Sequence, residues 1–408
     1  MCACRWWFYT EVIRLRWLFS DQAPWSRRVD VFLVGLAVLG IGFHALGEVT
    51  KRLRPQPHMP EKMAAATRTV RCYEAIRQVR IGSPATLDAE SDPASTGLIG
   101  QEFTLTTTDR GVLRSKLTSV NPNFAALFVQ YYRDLQLQPG DAVALALTGS
   151  FPALNIAALA AAEELNLRPL PITSVGASMW GSNDPYFSWL DMEAFLNQKW
   201  LLRTRSIAAS LGGSNDRGRG LSPKGRGLLK DAVERNGIEL IYEKTLEESI
   251  TKRLEIYDRE AGPGGIKAFV NVGGGAAAIG SSLNGRLIQP GITRSLRPYN
   301  WAQRGVLHHF ARRGVPIIHV LRVQSLAREH GFPVAPVVVP AVGEGKIYYK
   351  PGYDLRVVVP ILLVYLVLCF GVLRVRQQAA KAAHQAAALK SAVSGAASAT
   401  SGGERRSG

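Results

Sequence analysis

Two uninterrupted apolar runs frame the chain. Residues 31–46, VFLVGLAVLGIGFHAL, carry no charged side chain apart from the titratable His44, with Arg27 and Arg28 before them and Lys51, Arg52 and Arg54 after. Residues 357–373, VVVPILLVYLVLCFGVL, are uncharged between Arg356 and Arg374. Neither run shows the polar face of a core helix, and each reaches the short end of what crosses a bilayer, so the pattern predicts spans at 31–47 and 357–373. Ala45 and Gly47 also fit a signal-peptide cleavage site. The long arm at 1–30 and the cations directly after the run favour an uncleaved span instead. Within that arm, residues 6–19 interleave indoles and arginines as an interfacial helix does.

Between the runs the periodicity changes. Residues 61–80 place Met63, Ala66, Val70, Ile76 and Val79 on one side of a predicted helix, part of a stalk or linker over 48–95. From 96 to 345 short apolar runs alternate with helical patterns. AVALAL at 142–147 is a continuous run suited to a buried parallel strand. Residues 152–165 follow as a helix with Pro152 in its first turn and Ser150 as its cap. Further strands are predicted at 168–173, 238–242, 267–271 and 316–320, and helices at 123–137, 189–201, 246–257 and 300–313. This alternation predicts an α/β fold: a mostly parallel, Rossmann-like sheet flanked by helices, with one transmembrane helix at each end. After Arg376 the Ala, Gln, Ser and Gly content predicts a short helix and a largely disordered basic tail over 374–408.

Charge alters this picture. The net charge of +17 fits a solvated basic surface or attraction to an anionic partner, and most of the surplus lies between the two runs. Arginine and lysine are slightly richer after the second run than before it, which predicts cytoplasmic termini and an extracytoplasmic central domain. Only Cys72 lies between the spans, so no disulfide forms within the central domain. The cations concentrate at 210–227, SLGGSNDRGRGLSPKGRG, where Arg217, Arg219, Lys224 and Arg226 face one acid, Asp216, on a backbone with six glycines. A flexible connection and an anion-binding groove both fit this composition.

Ligands of parallel sheets gather at the C-terminal ends of the strands. Three glycine-rich stretches fall there: Gly149 and Ser150, residues 174–193, and residues 271–282. Gly273, Gly274 and Gly275 are candidates for anion binding. The GAAAIGSS at 275–282 has the outline of a phosphate-binding loop but places Ser281 where the lysine belongs, and Gly273, Gly275 and Ala278 fit the dinucleotide pattern without its downstream acid. A nucleotide cofactor is therefore not predicted, and the cofactor is left unassigned. Candidate catalytic residues are Ser150, Ser178, Asp184 and Asp191: two hydroxyls on turns at strand ends and two nearby carboxylates. His308 and His309 diverge around a helix and His319 sits in an apolar strand, so no metal site is predicted. The basic domain lacks the aromatic interleaving of a single-strand binder, so nucleic acid is not an expected partner.

The stretches TGLIGQEFTLTTTDRG, NPNFAALFV, TGSFPALNIAALAA, SVGASMWGSNDPYFSWLDME, LGGSNDRGRGLSPKGRG and FVNVGGGAAAIGSS, set between two terminal spans, resemble the membrane-associated poly-gamma-glutamate system protein family. The resemblance covers residues 96–345 and both spans. It implies a place in the bacterial inner membrane, beside the other membrane subunits of the poly-γ-glutamate synthase and exporter. Poly-γ-glutamate carries one carboxylate per residue, which suits the arginines of 210–227. The expected function is an accessory component that binds or guides the polymer; the alternative is a hydrolase or transferase that trims, releases or anchors it through γ-glutamyl bonds. The resemblance assigns no catalytic residue.

Overall fold

A computed structural model describes residues 24–81, 88–297, 300–301 and 303–401. The interfacial helix expected at 6–19 lies outside the described residues. The chain divides into two compact units, Met1–Arg54 with Pro351–Gly408, and Pro55–Lys350.

Among its described residues, the first unit consists mainly of two helices, Pro24–Val49 and Leu355–Ser401. Both are long and apolar enough to cross a membrane, and almost none of either apolar stretch is buried by protein. Phe43 of the first meets the ring of Tyr365 edge-on at 6.1 Å. The second helix does not stop near Arg376 but continues to Ser401. Alanine repeats at 379–389 suffice for this, because alanine costs the least of any residue to hold helical.

In the second unit, the described residues form a seven-stranded sheet. Its strands are β1 (Ala142–Thr148), β2 (Arg168–Ser174), β3 (Ala208–Ser210), β4 (Glu239–Ile241), β5 (Ile266–Val272), β6 (Gly291–Thr293) and β7 (Ile317–Val320). They lie in the order β4-β3-β2-β1-β5-β7-β6. Every pairing is parallel except β7 with the edge strand β6. The apolar run of β1 is buried on both faces yet still alternates. Val143, Leu145 and Leu147 join a large core, whereas Ala142, Ala144 and Ala146 join a second core on the opposite face. Small residues suit that second face because Phe269, Tyr257 and Phe310 fill it with rings, Phe269 and Phe310 stacking at 5.2 Å.

The helix Met59–Ile81 is not a stalk. It buries Ala65, Ala66, Thr69, Cys72, Tyr73 and Ile76, while Val70 and Val79, expected on its apolar face, are exposed. Small and aromatic residues form the contact stripe here, and close packing on Pro152–Glu164 needs just such small side chains. The latter helix is buried along nearly its whole length.

The predicted loop at 210–227 is only partly a loop. It begins as β3 and ends inside the helix Pro223–Arg235, whose first turn is capped by the Ser222 hydroxyl accepting from Gly225 N–H at 3.1 Å.

Candidate functional site

The chain runs outward from β1 to β4, returns to β5 beside β1, and proceeds to the other edge. The topological switch point therefore falls between the C-terminal ends of β1 and β5, where parallel sheets open a crevice. A cavity of about 540 Å³ occupies this place. Thr148, Ser150, Ser174, Ser178, Gly274 and Gly275 line it, so all three predicted stretches contribute to one wall system. Gly273 does not line it but makes the crevice possible. Its φ is +91°, and a Cβ there would sit 2.5 Å from Thr148 Oγ1.

The glycine run does not build a phosphate cradle. Residues 276–279 form one short helical turn, Gly280 reverses the chain at φ +78°, and a separate short helix starts at Ser282. Gly274 and Gly275 thus remain open backbone on the cavity wall.

Ser150 and Ser178 meet. The Ser178 N–H donates to Ser150 Oγ at 3.0 Å. The two turns interlock through Gly181, where a Cβ would lie 2.7 Å from Gly149 O and 2.9 Å from Ser150 Cα. Ser182 fastens the contact, its N–H and hydroxyl both donating to Gly149 O at 2.7 and 2.8 Å.

A residue absent from the sequence reading completes the group. Lys116, on the short helix Leu113–Ser119, is only 2% exposed. Its Nζ donates to Ser178 Oγ at 2.8 Å and to the Ser150 carbonyl, and lies 4.2 Å from the centre of the Phe151 ring. Burial without a carboxylate partner pushes the ammonium down to about 7. Nothing local in LRSKLTS announces this, since a lysine in a seven-residue helix ordinarily faces water.

The carboxylates go elsewhere. Asp184 pairs with Arg80 at 3.1 Å and accepts from Tyr186 N–H. Asp191 caps its own helix with Ser188 and binds Arg235 and Asn236, which hold its carboxyl below the ordinary range against the opposing effect of burial. Both are committed to structure, and neither lines the cavity. His308 and His319 are buried, and desolvation pushes each down to about 4, so both are neutral imidazoles within the core.

The cations of 210–227 border a second, adjoining concavity of about 320 Å³. Arg217, Arg219 and Arg226 line it with Lys244, Asn215 and Tyr242, while Lys224 stands exposed outside. Arg217 stacks over Tyr242 at 4.5 Å and donates to the Lys244 carbonyl at 3.3 Å. Lys230 covers the same ring at 4.1 Å.

The backbone beneath is fixed rather than pliable, because Asp216 is buried under it. Its Oδ1 accepts from Ser210 at 2.7 Å and Ser174 at 3.2 Å, and its Oδ2 from Ser249 at 2.6 Å and Arg253 at 2.9 Å. The loop's one acid is thus spent inward. Its arginines face outward without a compensating carboxylate in the loop.

The fold and the two cavities define a mixed α/β protein with a mostly parallel sheet and a polar crevice at the switch point. Comparison with known proteins gives no match to a family model, a curated protein or a solved structure.

Proposed function

We propose that this protein is a membrane-anchored accessory component that binds or guides poly-γ-glutamate. The observation that carries the reading is the concavity where Arg217, Arg219 and Arg226 share one wall with Lys244 on a backbone pinned by Asp216. A row of guanidinium groups binds a chain of carboxylates through charge-assisted contacts in many registers, and fixing the backbone beforehand lowers the entropy lost on binding. In this reading the apolar helices sit in the bacterial inner membrane beside the synthase and exporter subunits, and the Pro55–Lys350 unit faces the extracytoplasmic side. The polymer itself enters from the family resemblance of the sequence.

The test uses the full-length protein in detergent micelles on immobilised poly-γ-glutamate. Retention should fall steeply with added salt, and the triple variant Arg217→Gln, Arg219→Gln, Arg226→Gln should elute at markedly lower salt. Retention unchanged in the triple variant removes the concavity from the binding surface and overturns the reading.

A further inference from the structure

We infer that Ser178 and Lys116 are the nucleophile and base of an acyl-transfer site for a carboxylate-bearing amide or ester. Four observations converge on this assignment. The pair meets at 2.8 Å. Both side chains line the switch-point cavity, which has room for a small substrate or the end of a chain. Ser150 holds both partners at once, its carbonyl accepting from Lys116 and its hydroxyl from the Ser178 N–H. The wall sets hydroxyls and Arg110, with Asp109 next to it, beside apolar side chains such as Val112, Phe151 and Leu321, so a polar substrate with a carboxylate has an arginine to meet there.

A structural lysine in so dry a place ordinarily finds a carboxylate, and Lys116 has a hydroxyl, a carbonyl and a ring face instead. That environment favours the neutral amine, the form able to take a proton. The charged side chains sharing its cavity are Asp109 and Arg110, both exposed, and on its own helix Arg114 is also exposed. The helix Val323–His330, packed on the Lys116 helix, meets it through Gln324 and Ser115 rather than through a charge.

The chemistry balances without a metal or redox partner. Neutral Lys116 Nζ accepts the Ser178 hydroxyl proton as Oγ attacks the substrate carbonyl carbon. The tetrahedral intermediate expels its amine or alcohol, which takes that proton from the Lys116 ammonium and leaves an ester on Ser178. Water, or an acceptor amine, then gives a proton to Lys116 and attacks the ester, and Ser178 recovers its proton as the acid or transferred amide departs.

The experiment treats the full-length protein in detergent with a fluorophosphonate probe and maps the label by peptide mass. The probe bears no carboxylate chain, so its outcome is independent of whether the polymer binds. The label should fall on Ser178, with a rate that rises with pH and is half-maximal near 7. Ser178→Ala, which removes one hydroxyl, should abolish it. Lys116→Met should slow it about 100-fold or more while the circular-dichroism melt stays cooperative. Labelling that persists in Ser178→Ala, or that keeps its rate and pH profile in folded Lys116→Met, overturns the assignment. So does wild-type protein that takes no label between pH 6 and 9.

Discussion

Lys116 shows how one residue couples stability to chemistry. In the unfolded chain its amine titrates at the ordinary lysine value, whereas in the fold it sits at about 7. Between those values the unfolded state binds more protons, so this group makes stability rise with pH, and its penalty is complete below pH 7. Lys116→Met should therefore gain most relative to the wild type at pH 6 and progressively less towards pH 10. The difference in that gain, read from urea unfolding at the two pH values, should be on the order of 4 kcal/mol. None of this was legible in the sequence. Ser150 and Ser178 could be picked out by their places on strand ends, but the lysine that joins them comes from a helix 34 and 62 residues away, and only the tertiary fold brings it there. Asp184 and Asp191 misled for the converse reason. Asp184 sits among turn residues and Asp191 in the first turn of a helix, while the arginines that claim them, Arg80 and Arg235, are distant in the chain.

Elements with strong periodicity were legible, and those set by a single buried contact were not. The runs at 142–147, 168–173 and 267–271 fall within one residue of β1, β2 and β5, because these central parallel strands are mostly buried and carry apolar side chains over much of their length. The three-residue strand β3 has no such run, and it joins the sheet by pairing Ala208, Ala209 and Ser210 with β2 on one side and β4 on the other. The segment after it shows six glycines and four cations, a composition of flexible linkers, but the inward turn of Asp216 onto Arg253 overrides that preference. Asp216→Asn leaves Arg253 buried without its counter-charge and should cost about 3–5 kcal/mol in thermal or chemical unfolding. The same substitution should weaken polymer retention although Asp216 itself does not line the cationic concavity, since the arginines lose their fixed support. A variant as stable as the wild type contradicts the role given to this pair.

At the scale of the molecule, the alternation of strands and helices sufficed to give a mostly parallel sheet, and the uncharged runs sufficed to mark two candidate spans. The unit's extent did not follow from the sequence, because the alanines and the buried Cys72 of Met59–Ile81 read as a neutral helix until their partners are known. The orientation proposed here rests on a small excess of cations near the second span, and it is open to a direct check. A fluorescent reporter that matures only in the cytoplasm, fused at the C terminus, should light up in cells, and a periplasm-dependent enzyme fused there should stay silent. The reverse pattern inverts the topology.

The helix Leu355–Ser401 has 47 residues and, at about 1.5 Å each, is on the order of 70 Å long. The hydrocarbon of a bilayer occupies only about 30 Å of such a rod. If Val357 to Leu373 are seated in lipid, as proposed above, Arg374 and Arg376 would stand at the headgroups, and the alanine-rich remainder would rise from the membrane like a mast, roughly 40 Å tall. A partner gripping its tip would meet this protein well clear of the lipid surface, at a height set by helix length alone.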